Sequence, residues 1–437
     1  MGSDRPGFEL CESHAHLSAT GRAMAMCDLS AVRSADEMLD RLTSFAPNTS
    51  GWVLAHGARP ESWETNRWPT LDQLDRATGR TPTLAWCFDY HAMLANSAAM
   101  EHARIGPTTA VEHGRIELGA TGRPTGVLLE HAAGLMWGAV PEPSEAERAG
   151  HVAAALEHLA SLGFAEVHDL KSEPWLGPVL AQLERAGRLP CRVRLFPLVE
   201  NLSGAAANSQ SWVSDSVRLG GGKIFTDGTL NSRTAWMLES YAPPRDRPSD
   251  DDPELSRGLP MMTHGEIERA VRTCDGLGLP LAAHAIGDGA VRAVLDAVER
   301  VRPGTTPGSP PISHRIEHAE LIDAADVPRF ARLGVVCSVQ PCHLLTDIEA
   351  LRRAVPDRLG RVLPLRELID SGLEPGRTDG PGLIFGSDIP IVRADPGDSI
   401  LAATARKRAD MRDSDAISTM QSLSADEAWA CFRAGPV

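Results

Sequence analysis

The 437-residue chain has no surplus of basic charge, no long apolar run and no Cys-x-x-Cys pair. Its 43 Lys and Arg stand against 58 Asp and Glu, a net charge of -15, and the basic residues form no cluster. That argues against nucleic acid and anionic membrane as partners, since both call for clustered positive charge to meet phosphates. No stretch approaches the roughly 20 apolar residues of a membrane span. The first seven residues, Met-Gly-Ser-Asp-Arg-Pro-Gly, lack the apolar centre of a secretory signal. The 8 cysteines are scattered, which suits reduced thiols better than disulfides or a cysteine-zinc site. What remains is an ordinary globular composition, 42% hydrophobic and 23% charged. The expectation is a cytoplasmic protein acting on a small molecule.

What is present is a rhythm. Short apolar runs at 8–16, 163–168, 191–199, 217–225, 279–284, 313–318, 335–340 and 382–387 read as strands. Amphipathic segments at 144–162, 174–186, 265–277, 289–301 and 324–333 lie between them and read as helices. Alternation of this kind indicates a parallel sheet, and eight strands predict a closed (β/α)8 TIM-type barrel within residues 7–437. Residues 51–135 break the rhythm. They hold two strand-like pieces, 52–56 and 83–90, and a tryptophan-rich turn with Trp63 and Trp68. A structureless loop of that length is improbable, so the segment is expected to be an inserted subdomain serving as a lid after the first strand.

Candidate chemistry collects at the ends of the runs. His14 and His16 close the first one, and alternation along a strand points both the same way, as a shared metal ion requires. His284, His318 and Asp388 end or follow other runs, and barrel active sites lie at the C-terminal strand ends. Asp388, just beyond an apolar strand, would be costly to bury unless paired or bound to metal. Lys223 sits two residues before its run ends. An ammonium there would repel cations, whereas the carbamate formed with carbon dioxide would bridge two of them. Holding the amine neutral costs about 4–5 kcal/mol at pH 7, which burial and coordination must offset; the alternative is an inward lysine paired with Asp227. His56, Trp63, His91, Asn96 and His168 are further candidates for lining the pocket. Arg233 and Arg315 could bind a substrate carboxylate or form structural ion pairs. His314 competes with His318, four residues on.

The series Ser-His-Ala-His (13–16), Gly-Gly-Lys-Ile-Phe-Thr-Asp-Gly (221–228), Ala-His-Ala-Ile-Gly-Asp (283–288), His-Arg-Ile-Glu-His-Ala-Glu-Leu (314–321), Ser-Val-Gln-Pro (338–341) and Gly-Ser-Asp-Ile-Pro (386–390) resembles the amidohydrolase superfamily. It is most similar to the YtcJ-like branch that includes N-substituted formamide deformylase. The resemblance implies a metal-dependent hydrolase acting on a C–N bond of an N-acyl or N-formyl amide. It implies one or two divalent ions, zinc as the first expectation. His14, His16 and Asp388 would hold one and His284 and His318 the other, with a carboxylated Lys223 between them. A metal-bound hydroxide would attack the carbonyl, with Asp388 as proton shuttle. Alternatives on the same metal site are a deaminase, esterase, decarboxylase or isomerase, and, outside enzymes, a non-catalytic binding protein. Relatives usually carry a small β-sandwich built from segments flanking the barrel. This domain is expected to be missing here, with a homodimer covering the face it would occupy.

Overall fold

Eight short parallel strands carry the architecture in the computed structural model. They are β1 (Leu10–Ala15), β2 (Phe164–Leu170), β3 (Arg192–Phe196), β4 (Gly222–Phe225), β5 (Leu281–Ala285), β6 (Arg315–His318), β7 (Val336–Val339) and β8 (Gly382–Phe385). The structure describes residues 7–435 except 61–62, 66, 89, 91, 112–113, 231, 244–255 and 303–311. Two compact units result, one of Met1–Ser18 with Leu156–Val437 and the other Ala19–Ala155. All eight strands lie in the first.

β1 pairs with β2 and β2 with β3, and β4 through β8 pair in sequence, every ladder parallel. Two junctions join these sheets. Lys223 N donates to Pro197 O at 2.8 Å, linking the end of β3 to β4. Asp388 N donates to His14 O at 2.7 Å and His16 N to Ile389 O at 3.0 Å, linking the end of β8 to β1. Nearer the strands' N-terminal ends, residues 431–434 fill the gap between the last and first strands. Phe385 N donates to Cys431 O at 3.0 Å, Cys11 N to Phe432 O at 2.7 Å, and Ala434 N to Glu9 O at 2.9 Å. The circuit of eight thereby closes.

Every position of β1, β5, β6, β7 and β8 is buried. Strands of a parallel barrel are covered on both faces, by interior side chains and by helices, and so read as continuous apolar runs. Helices follow each crossover, among them Leu176–Arg185, Val199–Asn208, His264–Gly276, Asp288–Val301 and Val327–Leu333. Among the described residues no helix is long and apolar enough to cross a membrane.

The run at 217–225, expected as one strand, is two. Val217–Leu219 pairs with β3, and the chain then shifts at Gly220-Gly221 before β4 begins. At Gly221 a Cβ would stand 2.2 Å from Pro280 O, so only glycine passes there.

The second unit holds a six-stranded sheet in the order Cys27–Asp28, Val53–Ala58, Thr83–Cys87, Ala92–Ala95, Pro124–Glu130, Gly114–Leu118. The first three are parallel and the rest antiparallel. Trp52, Trp86, Met93 and Met100 form one of its cores and Trp63, Leu42 and Leu74 another. It is wider than the 51–135 segment expected from sequence, beginning at Ala19 and ending at Ala155.

Candidate metal centre

β1 delivers His14 within its last turn of pleat and His16 just beyond its end; β8 delivers Asp388 three residues past its own. The close approach of these two strands depends on Gly386. A Cβ at that position would lie 2.5 Å from His14 N and 2.8 Å from Glu12 Oε1. Glu12 reinforces the seam, accepting from His14 N at 2.9 Å and Ser387 N at 2.8 Å.

The hydrogen bonds around the imidazoles assign their protons. Glu317 Oε2 lies 2.7 Å from His14 Nδ1, and a carboxylate only accepts, so Nδ1 carries the hydrogen. The Gln340 amide is 3.2 Å from the same nitrogen, but the shorter charge-assisted contact decides. Leu170 O lies 2.6 Å from His16 Nδ1 and fixes that proton in the same way. Both Nε2 lone pairs therefore face inward. They meet Asp388 Oδ1, at 3.5 Å from His14 and 2.9 Å from His16. Two lone pairs and a carboxylate oxygen in one place repel unless something positive lies among them. His14, His16 and Asp388 each offer a donor atom, all within 4.8 Å of one another.

His284 and His318 stand alongside, with ring centroids 4.5 Å apart, and His318 is 4.9 Å from His14. Gly228 O takes the Nε2 proton of His284 at 3.2 Å, which leaves Nδ1 as its lone pair. His318 Nδ1 is buried without a hydrogen-bond partner among the described residues. Among the described residues, Lys223 Nζ is also buried with no hydrogen-bond partner, and it lies 4.9 Å from the Phe225 ring. Native interiors seldom leave such atoms orphaned, and each instance calls for a cause such as an ion. His318 and Asp388 also hold left-handed backbone, φ 70° and 65°. For non-glycine residues that conformation costs on the order of 1–3 kcal/mol and clusters at functional sites.

Burial sets the charge states. It lowers the imidazole of His14 to about 4, that of His284 to about 3, and that of His318 well below the ordinary range. Neutral imidazoles are metal donors. Burial also lowers the Lys223 ammonium, to about 8. Asp388 goes the other way: burial would raise its carboxyl, but His14 and His16 hold it well below the usual value. Burial opposes charge on His16, yet the contact with Asp388 outweighs it and raises that imidazole. The donor set thus suits a divalent cation, with mainly imidazole ligands and one ionised carboxylate.

Other residues expected at the site lie elsewhere. Arg315 donates to Ser13 O at 2.7 Å, Ser338 Oγ at 2.9 Å, His168 Nδ1 at 2.9 Å and both oxygens of Glu317. His168 in turn reaches Glu166 Oε1 at 3.0 Å. Both belong to an ion-pair layer inside the barrel rather than to a substrate surface, because their donors and acceptors are already engaged. His314 pairs with Asp275 at 3.2 Å and accepts from Leu281 N at 3.0 Å, away from the cluster that His318 joins. Arg233 donates to Ala242 O and lies over the Tyr241 ring at 4.9 Å.

In the second unit, Asn96 caps the helix Ser97–Ala103. Its Oδ1 accepts from Thr83 N and Ala99 N, and its Nδ2 donates to Thr78 Oγ1 and Thr81 O. Trp63 is core, its Nε1 donating to Val32 O at 3.0 Å. His56 lies in Val53–Ala58, where burial lowers its imidazole against the pull of Asp28. His91 lies outside the described residues.

Sequence reasoning missed Glu317, which orients His14, and His343. The latter lies 3.9 Å from Asp388 Oδ2, with its ring 6.0 Å from that of His318. Its position directly after Ser-Val-Gln-Pro-Cys was the available signal.

Comparison with known proteins bears on this geometry. The description of the amidohydrolase family matches residues 6–437. The chain is 30% identical over 422 residues to the protein YtcJ of Bacillus subtilis (strain 168), covering 92% of this chain and 73% of that one. It is 26% identical over 422 residues to an N-substituted formamide deformylase of Arthrobacter pascens, with coverage of 92% and 73%. Among solved structures, a metal-dependent hydrolase from Pyrococcus horikoshii OT3 aligns with a TM-score of 0.75 and 26% identity, over 96% of this chain and 78% of that one.

Proposed function

As the chain belongs to the amidohydrolase family, we propose that it is a metal-dependent hydrolase that cleaves the C–N bond of a small N-acyl or N-formyl amide. The observation that carries this reading is the convergence of His14 Nε2, His16 Nε2 and Asp388 Oδ1 where the first and last strands join. His14, His16 and Asp388 would hold one ion and His284 and His318 a second. Zinc fits a set of imidazoles whose chemistry needs no redox change. A bound divalent cation supplies Lewis acidity, making water more acidic and polarising a carbonyl.

The chain's own groups do the rest. Asp388, ionised by its imidazole neighbours, takes the proton of the attacking water and returns it to the leaving nitrogen. Glu317 keeps His14 in one tautomer and one orientation. Lys223, with its ammonium lowered to about 8, is about one-tenth neutral at pH 7, far more than an ordinary lysine. Its amine would add carbon dioxide, forming an N–C bond and releasing a proton, and the resulting carbamate would supply an anionic ligand to the metal positions. The unpartnered Nζ is the support for that step. The N-formyl substrate is favoured by the named activity of the Arthrobacter relative.

The test is product analysis with zinc-loaded protein and a panel of N-formyl and N-acyl amines beside the matching esters. Formate or carboxylate released in equal amount with a free amine is expected. Ammonia as the nitrogen product, or turnover of esters alone, would overturn the amide reading.

A further inference from the structure

β4 is buried along its length except at its last residue. Gly222, Lys223 and Ile224 are closed off from solvent, and Phe225 is half-buried. Side chains alternate between the faces of a strand, so Phe225 shares a face with Lys223, the one turned to the barrel interior. Two contacts fix where its ring lies. The centroid is 5.3 Å from that of the His284 ring, with the planes inclined by 42°, and 4.9 Å from Lys223 Nζ. The ring therefore adjoins both side chains assigned to the second ion. As the last residue of its strand, Phe225 presents the uncovered part of that ring toward the mouth of the barrel.

Burial does not account for such a ring, which leaves apolar surface open beside two polar donors. Binding sites for small molecules are built in this way, from an apolar wall and a few convergent polar groups. A metal centre needs only the polar groups, and the wall decides which substituent is accepted. The opposite side of the mouth is apolar too. β8 stands four strands from β4 in the circuit of eight. Beyond its Asp388 the chain carries Ile391, which is 47% exposed and whose N donates to Asp388 O at 2.9 Å. Neither side chain is charged, so neither can hold a substrate carboxylate by an ion pair.

We propose that Phe225 is the specificity-determining residue of the site. Its ring receives an apolar substituent carried next to the scissile amide, and Ile391 bounds the same space from the opposite strand. Substrates with a bulky hydrocarbon group are thereby preferred to those with a methyl group. The inference rests on the metal-dependent hydrolase reading and adds the part of the substrate that this chain selects.

The test reads binding and requires no turnover. Hydroxamates chelate a divalent ion through two oxygens and differ in the group they carry past it. On the zinc-loaded full chain, calorimetry is expected to show benzohydroxamate and hexanohydroxamate binding at least about tenfold more tightly than acetohydroxamate. In Phe225→Ala that ratio is expected to fall to about twofold or less. Phe225→Leu, which serves also if the alanine form does not fold, is expected to keep the preference for hexanohydroxamate and lose most of that for benzohydroxamate. Equal affinities for all the probes in the wild type, or an unchanged benzohydroxamate ratio in either variant, would overturn the proposal. An equal loss for every probe would mean that the ring only supports His284, and would overturn it too. Tighter binding of glycine hydroxamate, which carries an ammonium, than of the apolar probes would assign the ring to cations and overturn the apolar reading. Failure of every hydroxamate to bind would remove the metal centre and the subsite together. The amide reading is judged separately, on reaction products, so either can fail without the other.

Discussion

Toward the N-terminal ends of the barrel strands, Arg315 directs its guanidinium at Glu317, Ser338, Ser13 and His168, while Glu166 receives His168, Arg192 and Arg194. At the rim, Lys223 Nζ and His318 Nδ1 are also buried and, among the described residues, have no such partners. Both layers are dense in charge. The difference is saturation: the lower layer uses up its hydrogen-bonding capacity within the protein, and the rim leaves its own pointing inward at a common space. Buried charge with all its partners present is architecture, and buried charge without them marks where something else binds.

The strongest test of that contrast is Asp388→Asn. It keeps the shape of the rim and removes the proton acceptor. Turnover of any substrate the wild type hydrolyses is expected to fall by about 10²- to 10⁴-fold, with bound metal largely retained in elemental analysis. Unimpaired turnover would take Asp388 out of the chemistry.

Next is a pair of matched substitutions read by urea denaturation of the metal-free protein. Arg315→Met strands Glu317 and is expected to cost about 3–5 kcal/mol. Lys223→Met removes an ammonium that has no hydrogen-bond partner among the described residues, and is expected to be neutral or stabilising by about 1–3 kcal/mol. If both cost the same, the two layers are not different in kind.

Glu317 touches both layers, so Glu317→Gln sharpens the boundary between them. It should weaken metal binding about 10- to 100-fold through His14 orientation, measured by competition with a chromogenic chelator. A change in stability without a change in metal affinity would place Glu317 wholly in the lower layer.

The smallest effect is a pH dependence. Burial alone would raise the Glu166 carboxyl, but His168 and Arg194 win and lower it from 4.5 to about 2. A folded-state value below the unfolded one contributes stability that is complete above about pH 4.5 and is lost as pH falls toward 2. The stability gap between wild type and Glu166→Gln should therefore narrow across that window in acid denaturation curves. A constant gap would mean that Glu166 is not held ionised by its partners.

The barrel was legible because strands covered on both faces must be apolar along their whole length, and all eight runs overlap a barrel strand. The second unit was less so. Gly114–Leu118 has no fully buried residue and Cys27–Asp28 has two residues, so neither produces a run. The ligand residues carried a linear signature, histidines and an aspartate at strand ends. The roles of Arg315, His168 and Asn96 did not, because whether a polar group is saturated depends on partners far away in sequence, as Arg315 on Ser13 shows. Glu317 was hidden for the same reason: its importance comes from His14, about 300 positions earlier, through a contact of 2.7 Å.

The seam between the first and last strands also has a consequence in time. During translation, β1 emerges first and finds β2 only after the second unit has been made. Its other edge stays unpaired until β8 and residues 431–434 leave the ribosome. A nascent chain stalled short of that point would display an open strand edge beside His14 and His16, ready to pair with a neighbour. The barrel is therefore sealed only once residues 431–434 have been made, and until then that edge is open to mispairing.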